Sequence, residues 1–286
     1  MTIILSIKVQ DGVVMASDSA VMHRGHLYLN GEKNLQLLKG VPVGVLISGD
    51  GAIGTRALSG IIQDFGIRAS LRGDPLYVNK EDYTVEELVQ KLQTFIYDAS
   101  MASISPIRSA LILSGYSSGR TLPETWSVRF DGGSRIEPEL VWNEDEYGLS
   151  WEGDAGCINR LLGEVLTSDT PVDTENYGLS LFNRNAAELA DCEVDSPQLV
   201  TPGMPILDAV DVASFLMDTS LTFERLRADK SVKTIGGPVD LAVITRHDGF
   251  RWLQRKRPTG LRGAKPIGLR LEPGARRSLL KTTPAE

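Results

Sequence analysis

Cysteine is scarce: Cys157 and Cys192 are the two in 286 residues. That is too few for a disulfide framework, and the pair matches no zinc-ligand spacing. Histidine is nearly as sparse, with His23, His26 and His247 scattered along the chain. His23 and His26 fall three apart on a polar stretch without a cysteine partner, and read as exposed loop residues. The lack of a His–Cys constellation argues against cysteine-protease and zinc-hydrolase chemistry. No run approaches the roughly 20 apolar residues of a membrane helix, so no membrane partner is expected. An excess of positive charge is also missing, since 30 Lys and Arg face 37 Asp and Glu for a net charge of −7. Nucleic-acid affinity rests on basic side chains neutralising phosphates, so no nucleic-acid partner is expected. The opening Met1–Lys8 is apolar but short, without a basic leader or a small-residue cleavage site. It does not read as a signal peptide, and a cytoplasmic, reduced location is expected.

What is present is an ordinary globular composition, 42% hydrophobic and 23% charged, which excludes global disorder and suffices for a sizeable core. The length fits one large domain or two small ones. Ile3–Val9 and Val13–Asp18 are β-type runs joined at Asp11-Gly12, which reads as a hairpin turn pairing Leu5 with Asp18. Lys33–Leu38 and Val43–Ser48 follow, so the opening reads as a four-stranded meander. After Gly49-Asp50-Gly51 the period changes: Ala52, Ile53, Ala57, Leu58, Ile61, Ile62 and Phe65 predict a helix beginning just past the glycines. Thr84 as N-cap with Glu86 and Glu87 in the first turn predicts a second helix, striped by Leu88, Leu92, Phe95 and Ile96.

Strands return at Ser109–Ser114 and Thr125–Phe130, then helices at Ile158–Leu166 and, around a short pattern, Leu179–Leu189. A long amphipathic helix from about Leu207 to Arg227 precedes strands at Asp240–Thr245 and Phe250–Gln254. The polar stretch near 168–207 reads as a surface insertion in a domain spanning 1–256, and 257–286 as a basic, flexible tail. Runs of strands alternating with runs of helices predict an α+β fold, with two antiparallel sheets packed face to face and helices outside both.

Five features of the first fifty residues stand in a meaningful order. Thr2 follows the initiator methionine, Ala16-Ser17-Asp18-Ser19 ends the second strand, Lys33 opens the third, and Ser48-Gly49-Asp50 closes the fourth. With Gly12 between the first two runs, this spacing resembles the proteasome β-subunit type of N-terminal-nucleophile (Ntn) hydrolase, as a divergent bacterial-type relative. The likeness is specific over residues 2–65 and weaker beyond. It implies a four-layer αββα sandwich and a threonine-type peptidase or amidase that cleaves peptide or amide bonds through an acyl ester on Thr2.

The chemistry that the resemblance implies is physically coherent. A threonine hydroxyl needs a base to take its proton. As the first residue, Thr2 would supply its own α-amine, whose reference pKa of roughly 7.7–8.0 lies near neutrality. Met1 must therefore be removed. The Lys33 ammonium would favour the alkoxide and lower the pKa of the amine, while Asp18 would hold Lys33 ionised and oriented. The Gly49 N–H would donate to the oxyanion. Resolution of the ester by water gives hydrolysis; resolution by an amine gives transpeptidation.

The resemblance further implies peptide or protein substrates, a homo-oligomeric ring and an unfoldase partner; no cofactor and no metal are called for. Gly236-Gly237 matches a family Gly-Gly before a core strand. The family places Asp four residues before that pair and Ser just before it, supporting the amine. Here the positions hold Val232 and Ile235, with Asp229 and Ser231 nearby in the wrong register. Where the family has a Gly-Ser-Gly turn, this chain has Trp151-Glu152-Gly153-Asp154, so Glu152 or Asp154 stands in for the serine. A non-catalytic ring subunit of the same fold is the rival reading.

Overall fold

Two runs at the start of the chain, β1 (Ile3–Val9) and β2 (Gly12–Ser17), are buried at every position, as strands in the middle of a doubly covered sheet are. The computed structural model describes residues 2–23, 25–153, 156–161, 180–182, 199–201, 203–228 and 235–256. After β2 come a small hairpin, β3 (Val21–His23) and β4 (His26–Tyr28), and the strands β5 (Asn34–Gln36) and β6 (Val43–Gly49). A two-stranded ribbon, β7 (Ala52–Ile53) and β8 (Arg56–Ala57), leads into helices α1 (Leu58–Ala69) and α2 (Val85–Met101). Strands β9 (Arg108–Gly115), β10 (Glu124–Asp131), β11 (Ser134–Arg135), β12 (Glu139–Trp142) and β13 (Gly148–Gly153) follow. The rest comprises α3 (Gly156–Leu161), β14 (Ser180–Phe182), α4 (Ile206–Leu226), β15 (Asp240–Thr245) and β16 (Gly249–Gln254).

One antiparallel sheet runs β14-β13-β1-β2-β15-β16, and a second runs β11-β10-β9-β6-β5 with β12 against β10. Because side chains alternate along a strand, each sheet offers two faces. Ile4, Val13, Met15 and Ile244 of the first sheet meet Leu46 and Ile112 of the second in the layer between them. The outer face of the second sheet buries Val45, Leu111 and Val128 against Ile62 and Phe65 of α1 and Leu88, Leu92 and Ile96 of α2. The outer face of the first buries Leu5, Val14, Trp151 and Val243 against Ile158 of α3 and Ala213 and Leu216 of α4. The four layers are therefore α, β, β, α, the expected architecture. Thr84 does cap α2, its Oγ1 accepting from Glu87 N at 3.0 Å.

The structure differs from the sequence reading in five places. The opening strands are not one meander, since β1–β2 and β5–β6 belong to opposite sheets. The hairpin turns at Gln10-Asp11, pairing Leu5 with Ala16 and Val9 with Gly12. Gly12 is required by the neighbouring strand, because a Cβ there would lie 2.4 Å from the Ile244 carbonyl oxygen. The first helix begins at Leu58, because Ala52 pairs with Ala57 around a turn in which Gly54 has φ +59°. Apolar periodicity located the core-facing Leu58, Ile61, Ile62 and Phe65, but it also took in the exposed Ala57 and missed the ribbon to which Ala52 and Ala57 belong.

Finally, Trp151, Glu152 and Gly153 lie on β13, beside β1, rather than in a turn opening a helix. Of the stretch read as an insertion, Ser180–Phe182 pairs with β13 as a strand, not as part of a helix; 162–179 and 183–198 lie outside the described residues, as does the tail 257–286. Among the described residues, no helix is long and apolar enough to cross a membrane.

Candidate active site

The second strand is stopped by a side chain. Asp18 N donates to the Ile3 carbonyl at 3.1 Å, as the next rung of the β1–β2 ladder requires. The return bond is different: Ile3 N donates to Asp18 Oδ1, 3.1 Å away, where a continuing strand would offer the Asp18 carbonyl. The chain leaves the sheet at this point. Strand parity alone would send Asp18 to the face opposite Thr2, and this substitution is what frees its carboxylate from that rule. The same device ends β6, where Asp50 N donates to the Arg108 carbonyl at 2.9 Å and Arg108 N donates to Asp50 Oδ2 at 2.8 Å.

The freed carboxylate is fully buried and has four donors. Oδ1 accepts from Ile3 N and from Lys33 Nζ at 2.6 Å; Oδ2 accepts from Ala20 N at 3.2 Å and Gly236 N at 3.0 Å. Gly236-Gly237 is thus a backbone partner of the Asp18 loop, with Ser19 N donating to the Gly236 carbonyl at 3.0 Å. Gly237 has φ +77°, and a Cβ there would meet the Leu29 carbonyl at 2.6 Å. Lys33 just precedes β5 and is anchored through its carbonyl, which accepts from Ile47 N at 2.8 Å. Burial pushes the Lys33 ammonium below its ordinary pKa, Asp18 opposes this, and the Lys256 charge adds to the lowering.

Thr2, Lys33 and Gly49 line one cleft of about 840 Å³, whose rim includes Val21 and Tyr28 of the β3–β4 hairpin. Thr2 is 5% exposed, and its backbone lies against Gly153 so closely that a Cβ there would stand 1.8 Å from the Thr2 carbonyl oxygen. Gly49 has φ +87°, and a Cβ would approach the Arg108 carbonyl to 2.5 Å. The ladder also sets the direction of the Gly49 N–H. Ile47 N bonds toward β5 and Asp50 N toward β9, so the intervening Gly49 N–H turns away from β9, toward the β5 side. The structure therefore gathers Thr2, Asp18, Lys33 and Gly49 at one end of the two sheets.

The other sequence candidates fall elsewhere. Ile235 is buried in the apolar core beneath α4, while Asp154, Asp229, Ser231 and Val232 lie outside the described residues. Glu152 is opposite Ile4 and faces the layer between the sheets. Burial pushes its carboxyl up to about 7, against the pull of Arg129. His23 and His26 face each other across the exposed β3–β4 hairpin rather than lying in a loop. Among the described residues, no group of three or more His, Cys, Asp or Glu is placed to hold a metal. Sequence reasoning missed Gly153, Asp240 and Lys256; the isolated Gly ending an aromatic β-run was the available signal for the first.

The four-layer αββα sandwich is the proteasome-like Ntn fold. Among solved structures, the chain is similar to Anbu, described as the ancestral β-subunit, from Yersinia bercovieri, with TM-score 0.54, 16% identity, and 90% of this chain and 89% of that chain covered. It is also similar to a Gly-1 mutant of Anbu from Hyphomicrobium sp. strain MC1, with TM-score 0.56, 14% identity, and coverages of 90% and 87%. A second Hyphomicrobium Anbu structure gives TM-score 0.55 and 14% identity, with coverages of 89% and 86%. No protein-family model and no curated protein matches the chain. These findings correct the resemblance drawn from the motifs: the structural neighbours are Anbu, and what is shared with them is the fold.

Proposed function

We propose that the protein is an N-terminal threonine hydrolase that cleaves peptide or amide bonds. The observation that carries this reading is the buried Lys33–Asp18 pair, 2.6 Å apart, with Lys33 opening on the cleft that Thr2 also borders. Thr2 Oγ1 attacks the substrate carbonyl and passes its proton to the α-amine exposed by loss of Met1. The Lys33 ammonium stabilises the developing alkoxide, held in place by a carboxylate that three backbone N–H groups also fix. The Gly49 N–H, directed away from β9, donates to the oxyanion. The amine then returns the proton to the leaving group, and water attacks the ester to release the second product; an amine in its place gives transpeptidation.

The Ntn architecture and the fold shared with Anbu support a homo-oligomeric ring as the working form, fed with unfolded clients by an unfoldase. A non-catalytic ring subunit is the second reading. It is favoured by Ile235, which packs into the outer core and offers no hydroxyl to a nucleophile. One experiment separates the two. Purified protein whose intact mass shows loss of Met1 is treated with an electrophile that captures N-terminal threonine, and the adduct is mapped by peptide mass spectrometry. Modification on Thr2 that disappears in Thr2→Ala supports the hydrolase. An unmodified Thr2 in protein lacking Met1 leaves the structural subunit.

A further inference from the structure

The β3–β4 hairpin ends in two histidines. His23 and His26 are directly opposed across it, with only Arg24 and Gly25 between them. Gly25 has φ +79°, the left-handed conformation that a two-residue hairpin turn needs. Directly opposed residues project to the same face, with Cβ atoms roughly 4.5–5.5 Å apart. Val21 and Tyr28 form the pair two rungs back. They share the face of the histidines, while Met22 and Leu27 take the other. Three of the four residues on the first face, Val21, His23 and Tyr28, border the Thr2 cleft.

Both histidines are exposed, so water is what a cation would displace from their ring nitrogens. Two imidazole ligands, each about 2.0–2.1 Å from a shared tetrahedral cation, stand roughly 3.3 Å apart. Rings that lean together from one rung of a hairpin close that gap. Among the described residues no third His, Cys, Asp or Glu joins the pair, which leaves the remaining positions to water. Imidazole nitrogen suits late first-row divalent cations, whereas Mg²⁺ and Ca²⁺ require oxygen ligands.

We propose that His23 and His26 form a two-imidazole site for a late first-row divalent cation, Zn²⁺, Ni²⁺ or Cu²⁺, on the rim of the Thr2 cleft. The cation clamps β3 to β4 across their last rung. It also sets a dication and its bound water beside the part of the cleft wall that Val21 and Tyr28 form. Entry of an extended chain is thereby hindered, and the loaded protein turns over more slowly. The slowing rests on the Thr2 reading; the binding does not.

The test is a calorimetric titration of the untagged full-length protein with Ni²⁺, comparing wild type with H23A, H26A and H247A. Positions 23 and 26 are exposed, so their variants keep the fold, and His247 lies apart in the β15–β16 connection. Wild type and H247A are expected to take one Ni²⁺ per chain. H23A and H26A are expected to bind at least about tenfold more weakly, the least that loss of even an outer-shell partner costs a metal site. Equal Ni²⁺ affinities in wild type and H26A overturn the proposal. Turnover on a peptide amide is then measured in each protein with and without Ni²⁺, at the concentration that saturates wild type. A fall in kcat/KM that a chelator reverses and H26A lacks supports the placement on the cleft rim. An undiminished rate in loaded wild type overturns that placement. Binding without turnover in any protein supports the metal site and sinks the hydrolase reading instead.

Discussion

Arg129 Nε stands 3.9 Å from the Glu152 carboxylate across the layer between the two sheets, and no hydrogen bond joins them. Register explains the meeting. Glu152, Ile4 and Ser17 form one row across β13, β1 and β2, while Arg129, Ala110 and Ser48 form another across β10, β9 and β6. Both carboxylate oxygens, Arg129 Nε and the hydroxyls of Ser17 and Ser48 are without a hydrogen-bond partner among the described residues. A carboxyl so placed keeps its proton up to about pH 7, because ionisation inside the protein costs more than the distant guanidinium returns.

This fixes the sign of a pH effect. Glu152 has its folded pKa raised from 4.5 to about 7, so between these values the folded state holds a proton that the unfolded chain releases. Stability therefore falls as pH rises through that window, by about 3 kcal/mol in total. Urea unfolding at pH 5 and pH 8 is expected to show this loss in wild type and not in Glu152→Gln. Parallel pH dependences in the two proteins would remove Glu152 as the cause.

Lys8 gives the opposite slope. It is fully buried on β1 and donates to the carbonyls of Glu144 and Glu146. Burial lowers its pKa from 10.5 to about 8, with the Glu146, Asp145, Glu144 and Glu124 carboxylates opposing. From about pH 8 upward the unfolded chain binds the extra proton, so raising pH stabilises the fold. Wild type is expected to gain about 2 kcal/mol relative to Lys8→Met between pH 7.5 and 9.5. Unfolding curves whose separation stays constant over that range would refute the assignment.

The Asp18–Lys33 pair is asymmetric. Lys33→Met leaves Asp18 with three backbone donors, whereas Asp18→Ala orphans those three N–H groups and strands the ammonium. Asp18→Ala is therefore expected to cost about 3–5 kcal/mol and to exceed the cost of Lys33→Met. Both are expected to abolish turnover on a peptide amide. Denaturation midpoints in the reverse order would show that Asp18 is not held as described.

Two glycines separate strain from propensity. Gly49→Ala must adopt φ +87° and place a methyl 2.5 Å from the Arg108 carbonyl, so loss of both turnover and stability is expected. Gly60 lies within α1 with open space around its Cα and ordinary helical φ. Gly60→Ala is expected to stabilise by about 0.5–1 kcal/mol. Thermal midpoints that move together in the two variants would contradict the contrast.

Much of this was legible from periodicity and spacing. The α2 cap at Thr84, β15 and the span of α4 follow from local pattern and turn chemistry, whereas the gathering of Thr2, Asp18, Lys33 and Gly49 was only what the family resemblance of the first fifty residues implies. What local pattern could not carry was pairing between distant segments. Trp151-Glu152-Gly153 reads as a turn until β1 is found beside it, and Lys256 reads as the last residue of the domain until Asp240 is found paired with it. Strand parity alone sends the Asp18 carboxylate to the face opposite Thr2, because parity presumes a ladder of backbone bonds, and here a side chain ends the ladder.

Asp18 and Asp50 both finish their strands by offering a carboxylate where the neighbouring chain awaited a carbonyl. These two end-stops lock the strand registers that bring residues 2 and 49 together, and neither depends on what those residues are. Chemistry at the cleft is free to be gained, altered or lost over evolutionary time while the frame around it stays put.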